Sequence, residues 1–566
     1  MTKKLIAFFL ALTFVLAMAA ACGSRETQAP SAPSAAAGSL VTDPGALPIT
    51  TRTDITLTLG IRQAARVADY VDNDYTKRIE EETGVKLNFE LFPTAVAEST
   101  QKLELMVSAN QKIPDILVNL GLTAAARENY GKQGHIIDLR GLLDELSYYW
   151  KSQTEKWCDA SEQENIIKLG LTSDGKLYGF PFYYADPTDP QATGLWLNID
   201  WMDKLGLNMP KTTDDFYDLL VAFRDGDPNG NGRADEIPYV GSTGWVSDPI
   251  RQLMSAFIYW NPTYHFNVEN GKLYAPYVTE DFREGLRYIH KLVSEGLLSE
   301  LSFTQTSADH RAMTDLAEDQ DTIVGAFTAH PHLMFAQTNP KRMEFSYIES
   351  PLTGPKGIGY VPKDISAPYY NVFVSGAYEY PELAVRFLDS LCKEELSITC
   401  RYGKQIDEWT YDVDPAAEPG YTSTRGIIHF ISANRLINEP AQTGNWADWA
   451  TMHLPPTLFS AQPKRVFDNP VNQYYNDNWQ MSVPTRMDKN PKELVPVLNY
   501  TSDEMDEINE IMTTINTYYQ ECATLFATGV MDLEKDWDRY VLELESIGLS
   551  RYLEVAQQCF DRMNSL

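Results

Sequence analysis

The chain has 566 residues, 43% of them hydrophobic and 11% aromatic, enough for large cores and more than one lobe. Asp and Glu number 78 against 47 Lys and Arg. The formal net charge of −31 excludes nucleic acid and anionic membrane surface as partners, since both require basic protein surface.

The N-terminus reads as an export signal. Lys3 and Lys4 form a basic start, residues 5–18 an apolar stretch, and Ala19-Ala-Ala-Cys22 a small-residue cleavage site. Small residues ending in Cys resemble a bacterial lipobox, with cleavage after residue 21 and a lipid on Cys22. An ordinary signal cut beside an incidental Cys is the alternative. Residues 22–52, rich in Ala, Ser, Pro and Gly, cannot pack a core and read as a tether. Beyond the leader, no apolar run is long enough to span a bilayer. The expected location is the outer face of the bacterial cell membrane, held by that lipid.

The globular part opens with strand–helix alternation. Residues 54–59 and 85–91 alternate apolar and polar with period two, residues 75–83 form a helix stopped by Gly84, and Ile113-Pro-Asp-Ile-Leu-Val118 reads as a buried strand. This order predicts an α/β lobe with a largely parallel sheet. Ligands in such sheets sit beyond the carboxyl ends of strands, which makes Arg62 and Asn119 candidates for ligand contact. Each equally serves as a loop cap.

A second lobe is predicted to begin near Trp196. Residues 195–199 read as a strand and 200–207 as a helix with a Gly stop. Thr212 and Asp215 then make a capping-box start for a helix that buries Phe216, Leu219, Leu220 and Phe223. That helix delivers the chain into Asp227-Pro-Asn-Gly-Asn-Gly-Arg-Ala-Asp-Glu-Ile-Pro238. Oxygen ligands at alternate positions with Gly at the sixth match an EF-hand-type loop: Asp227, Asn229, Asn231, the Arg233 carbonyl and Asp235, with Glu236 replacing the bidentate Glu absent at Pro238. An all-oxygen donor set suits Ca2+ in a structural role. The same residues also build ordinary Asx turns.

Further along, Thr279 caps an amphipathic helix, and residues 381–391 and 537–563 read as helical. Besides Cys22 there are Cys158, Cys392, Cys400, Cys522 and Cys559, an odd and scattered set unlike a disulfide framework. Cys392 and Cys400 are expected in one helix, roughly 12 Å apart along its axis and too far apart to bridge.

Several motifs occur together, in order: Ile113-Pro-Asp-Ile-Leu, Gly175-Lys-Leu-Tyr-Gly-Phe-Pro181, Leu195-Trp-Leu-Asn-Ile-Asp-Trp-Met-Asp-Lys-Leu-Gly-Leu207, the calcium-type loop, Glu295-Gly-Leu-Leu298 and Tyr380-Pro-Glu-Leu-Ala-Val-Arg-Phe-Leu-Asp389. In that order the chain resembles the extracellular solute-binding proteins of ABC importers, in the group related to lipoprotein LplA and the alginate-binding proteins. The resemblance implies a monomeric two-lobed α/β type II periplasmic-binding-protein fold with an interlobe cleft. Residues 53–185 with about 355–420 would form one lobe, and 186–354 with about 421–566 the other. It implies no catalysis, calcium in the 227–236 loop, and delivery of a solute to a membrane permease. The stretch after Tyr402-Gly403 departs from the family pattern, with Trp409 where the family has none.

The ligand class follows from side-chain supply. Sugar rings pair an apolar face with a polar edge, and 11 Trp and 31 Tyr provide stacking surfaces. Tyr183, Tyr184, Trp245, Trp260, Trp409 and Trp446 lie in irregular segments and are the aromatic candidates for an oligosaccharide cleft; core packing is the alternative for each. A peptide or a charged glycan remains open as the ligand. So does a secreted glycoside hydrolase, although no nucleophile elbow, HExxH or Walker loop is present.

Overall fold

A computed structural model describes residues 40–404, apart from 159, 183–193, 245–246, 261–264, 330–333, 337–338, 349 and 362–369. It also describes 409–411, 428–430, 443–446, 466–467, 470–471, 474, 489, 491 and 493–565. Two four-stranded sheets organise the body, each with its own hydrophobic core.

The first sheet grows from strands Thr56–Arg62, Lys86–Phe92 and Ile116–Val118, all mutually parallel, with Thr56–Arg62 in the centre. Alternation along the central strand buries Leu57, Leu59 and Ile61, as its sequence pattern requires. A late strand, Val372–Val374, adds antiparallel beside Ile116–Val118, pairing Val372 with Val118. The expected mostly parallel sheet is therefore present, with one antiparallel edge strand that the sequence did not announce.

In the second sheet, Ile237–Val240 runs parallel to Val324–Ala329, while Gly194–Asn198 and Phe345–Tyr347 are antiparallel to their neighbours. The Thr213–Asp225 helix has the expected capping box, in which Thr212 and Asp215 bond each other's backbone. Its apolar face packs Phe216, Leu220 and Phe223 completely inside. Glu280–Ser294 packs against a 26-residue helix, Ser502–Ala527, which the sequence reading left unassigned. Together with Trp537–Ile547 and Leu549–Ser565 it closes the second core.

Three expectations need correction. The chain predicted as one helix over 537–563 breaks at Gly548, whose φ of +125° suits glycine alone. Cys392 and Cys400 do not share a helix: Pro381–Ser390 ends before Cys392, and Glu394–Tyr402 starts after it. Both thiols are buried and free, as are Cys522 and Cys559, and Cys158 is buried as well. The lobe boundaries also shift, because Trp446 packs in the first core although 421–566 was assigned to the second lobe. Conversely, Tyr360 bonds through its amide to the Ser255 carbonyl and sits with the second lobe.

Candidate functional site

Strand direction locates the place where a ligand would lie. In the first sheet the carboxyl ends of Thr56–Arg62 and Ile116–Val118 lie at one edge, where Val118 meets Val372 and the Phe180 amide bonds the Val372 carbonyl. The chain leaves the first sheet from that edge. It enters the second sheet at Gly194, which pairs with Ala329 at the carboxyl end of Val324–Ala329. Residues 183–193, between the two sheets, lie outside the described residues; in α/β sheets ligands bind beyond such carboxyl ends. On the second sheet this edge carries a cavity of about 440 Å³, walled by Ser242, Asp248, Trp260, Tyr519 and Thr524. The Ser242 hydroxyl is buried and has no hydrogen-bond partner. Hydroxyls, one carboxylate and an indole in one wall are groups that recognise a polyol.

The residues proposed for ligand contact divide by environment. Arg62 donates from Nε to the Asn119 carbonyl at 2.6 Å and from Nη1 to the Thr94 carbonyl at 2.9 Å, so its guanidinium ties loops together. Asn119 adopts φ +58° and its amide bonds the Asn371 carbonyl. Both act as loop fasteners at the expected edge. Trp446 is fully buried, with Tyr75 edge-on at 5.2 Å and Phe89 at 5.8 Å, so it is a core ring and not a stacking platform. Trp260 is only 3% exposed and packs on Phe282 at 4.9 Å and Tyr519 at 5.6 Å. Its indole serves the core first and the cavity wall second. Trp409 begins a short strand that pairs it with Phe430. Tyr183, Tyr184, Trp245 and Cys22 lie outside the described residues.

The 227–236 loop sits at the opposite end of the second sheet, before the amino end of Ile237–Val240. Gly232 takes φ +71°, the left-handed turn that the sixth position requires, and Asp227 itself has φ +45°. The Asp227 carboxylate accepts from the Gly232 amide at 3.1 Å. Asn229 and Asn231 direct their side-chain amides to Asp235 at 3.3 and 3.1 Å. Those two bonds hold the Asp235 carboxyl below its ordinary range, the Asn231 bond most strongly. The Glu236 Oε1 is buried with no hydrogen-bond partner. The buried, unpartnered Glu236 oxygen and the Asp227 and Asp235 carboxylates are donors of the kind a hard cation takes. As placed, the two asparagines hold Asp235 through N–H groups, which are not cation ligands, and their Oδ1 atoms accept from the Asn231 and Arg233 amides. Among the described residues no three His, Cys, Asp or Glu cluster as metal ligands.

Sequence reasoning missed Arg127. It lies on the Ala124–Lys132 helix, 6% exposed, in the wall of a cavity of about 460 Å³. Its spacing marks it only as an ordinary helical residue.

Residues 65–395 match the family model for bacterial extracellular solute-binding proteins. The chain belongs to that family. A solute-binding family is not a catalytic one, which sets aside the secreted hydrolase, and it places the working body of this solute-binding protein outside the cytoplasm. Among curated proteins it is similar to the fructooligosaccharide ABC transporter substrate-binding protein FusA of Streptococcus pneumoniae, 27% identical over 86% of each chain. The solved structure of FusA in complex with kestose covers 90% of this chain and 99% of its own, at TM-score 0.65 and 23% identity. An EF-hand mutant of FusA in complex with fructo-nystose aligns equally far at TM-score 0.64 and 22% identity. An extracellular solute-binding protein from Bifidobacterium longum subsp. infantis covers 90% of this chain and 98% of its own, at TM-score 0.73 and 18% identity. These likenesses give this solute-binding protein the two-lobed type II periplasmic-binding-protein fold. Among the described residues no helix is long and apolar enough to cross a membrane.

Proposed function

We propose that this protein captures an oligosaccharide between its two lobes, without altering it, and delivers it to the membrane subunits of an ABC importer. The observation that carries the reading is the likeness, across 86% of the chain, to a fructooligosaccharide ABC transporter substrate-binding protein; the cavity at the carboxyl edge of the second sheet supports it. Ligand contact with both edges would favour a closed form, which presents a surface to the permease. The polyol-type wall at Ser242, Asp248 and Thr524 supports a neutral, hydroxyl-rich solute in preference to a peptide.

Two further elements belong to the same reading. A lipid on Cys22 tethers the body outside the membrane through residues 22–52. A calcium ion held by Asp227, Asn229, Asn231, the Arg233 carbonyl, Asp235 and Glu236 fastens the loop between the Thr213–Asp225 helix and the Ile237–Val240 strand. The EF-hand named for FusA supports this assignment.

Titration calorimetry with kestose, nystose, neutral gluco- and manno-oligosaccharides and short peptides tests the proposal. One saccharide class should bind, and chromatography after long incubation should recover it intact. Binding confined to peptides, or recovery of cleaved sugar, would overturn it.

A further inference from the structure

The cavity at Arg127 lies between the two cores. One wall comes from the first lobe: Thr123, Arg127, Tyr370 and Asn371. The other comes from the second lobe's Met505 and Met512, on the Ser502–Ala527 helix. Three facts about Arg127 stand together. It is 6% exposed. Its Nε is buried with no hydrogen-bond partner among the described residues. The Tyr370 ring stands 5.4 Å from its guanidinium carbon. No Asp, Glu or Lys is among the described residues of the cavity wall.

A buried cation without a counter-charge is costly, and proteins keep one where a ligand supplies the missing charge. Burial pulls the Arg127 guanidinium down to about 10, the direction expected of a desolvated cation lacking an anion. The positive end of the Ala124–Lys132 helix points the same way: Ala124 and Ala125 line the cavity, and first-turn amides have no intrahelical acceptor. The remaining wall is largely apolar, from Leu122, Leu169, Leu498, Met505 and Met512.

We propose that this cavity binds a single carboxylate on a molecule with an apolar face, with Arg127 as its counter-ion. A guanidinium pairs a carboxylate in a planar, two-bond fork. A phosphate dianion would need a second cation that this wall lacks, and the net charge of −31 opposes polyanions. The cavity is distinct from the hydroxyl-rich wall at Ser242, but it too lies between the lobes at the carboxyl edge of the first sheet, so the inference deepens the proposed solute-binding reading and rests on it. Acid binding and neutral-sugar binding are read apart in its test.

Thermal-shift and calorimetric titrations on the intact protein test it, in low-salt, chloride-free buffer. The probes are galacturonate against galactose and benzoate against benzyl alcohol. At least one acid should raise the melting temperature while its neutral twin does not. Arg127→Met should weaken that acid at least tenfold and weaken its neutral twin or kestose far less. Without ligand, Arg127→Met should melt no lower than wild type, because it removes an uncompensated charge. Arg127→Lys, which keeps charge but not the fork, should retain partial binding. A response to galacturonate alone identifies a sugar acid, and one to benzoate alone a free apolar acid; either supports the site. The proposal fails if neither acid binds, if binding survives Arg127→Met, or if Arg127→Met destabilises the free protein as a core truncation would.

Discussion

Trp446 donates its indole N–H to the Thr76 hydroxyl at 2.8 Å, joining positions 370 residues apart in the chain. The same hydroxyl donates to the Tyr70 carbonyl, so Thr76 is fully used. This bond, with the three rings around the indole, pins a late segment of the chain to the first core. Trp446→Phe should cost about 1–2 kcal/mol through the lost hydrogen bond and Trp446→Ala about 3–5 kcal/mol through the cavity it leaves. Urea denaturation followed by circular dichroism checks the order. Equal, negligible effects would mean the segment is not packed there.

A buried ion pair sets a second expectation. Arg386 and Asp389 have fully buried side chains 3.1 Å apart. Asp389 also accepts from the Tyr148 and Trp150 amides, and Arg386 donates to the Asp43 and Ala46 carbonyls. Asp389→Asn strips the counter-charge from a dry guanidinium and should cost about 3–5 kcal/mol. The exposed pair Arg52–Asp54 is the control, and Asp54→Asn should leave the melting temperature where it was.

Acid should destabilise the second lobe before the carboxylates titrate. Burial pulls His310 down to about 4, and its two ring nitrogens are buried without partners beside Phe327. His265, bonded to Tyr519 and Asn516, is likewise held at about 4 by burial. Both stay neutral when folded, whereas an unfolded histidine takes a proton near 6.5. Stability is therefore fully present above pH 6.5 and is lost as pH falls from there to 4, by roughly 3 kcal/mol for each group. A pH series of urea midpoints should show the decline, and His310→Leu should flatten a comparable share of it. An unchanged slope in that variant would assign the decline elsewhere.

Calcium, on the proposed reading, makes a separable prediction. Chelation should lower the melting temperature, Asp227→Ala should remove the sensitivity to chelator, and calcium should restore the wild type but not the variant. Ligand affinity measured below the melting range should stay within about twofold, because the loop lies at the end of the second sheet away from the carboxyl edge. Identical melting curves with and without chelator would leave the loop as a set of Asx turns.

What could be read from the chain depended on how local each signal was. Thr56–Arg62 and Lys86–Phe92 alternate over seven residues, and Thr212 with Asp215 is a three-residue cap, so both survive translation into structure. The burial of Trp260 and Trp446 is not legible in the sequence, because an irregular segment gives no periodicity and the rings that cover them, such as Tyr519 and Tyr75, are hundreds of residues distant. Arg127 was invisible for a related reason. Nothing in Thr123-Ala-Ala-Ala-Arg127 signals that Tyr370 and the Ser502–Ala527 helix will close over it.

That long helix has a mechanical consequence. Its amino-terminal half supplies Met505 and Met512 to the chamber at Arg127, and its carboxyl-terminal half supplies Tyr519, Gln520 and Thr524 to the chamber at Asp248. Twenty-six residues make a rod about 39 Å long, far stiffer than the loops that meet it. The two chambers therefore share one wall element, and any tilt or roll of this helix would move one face of each.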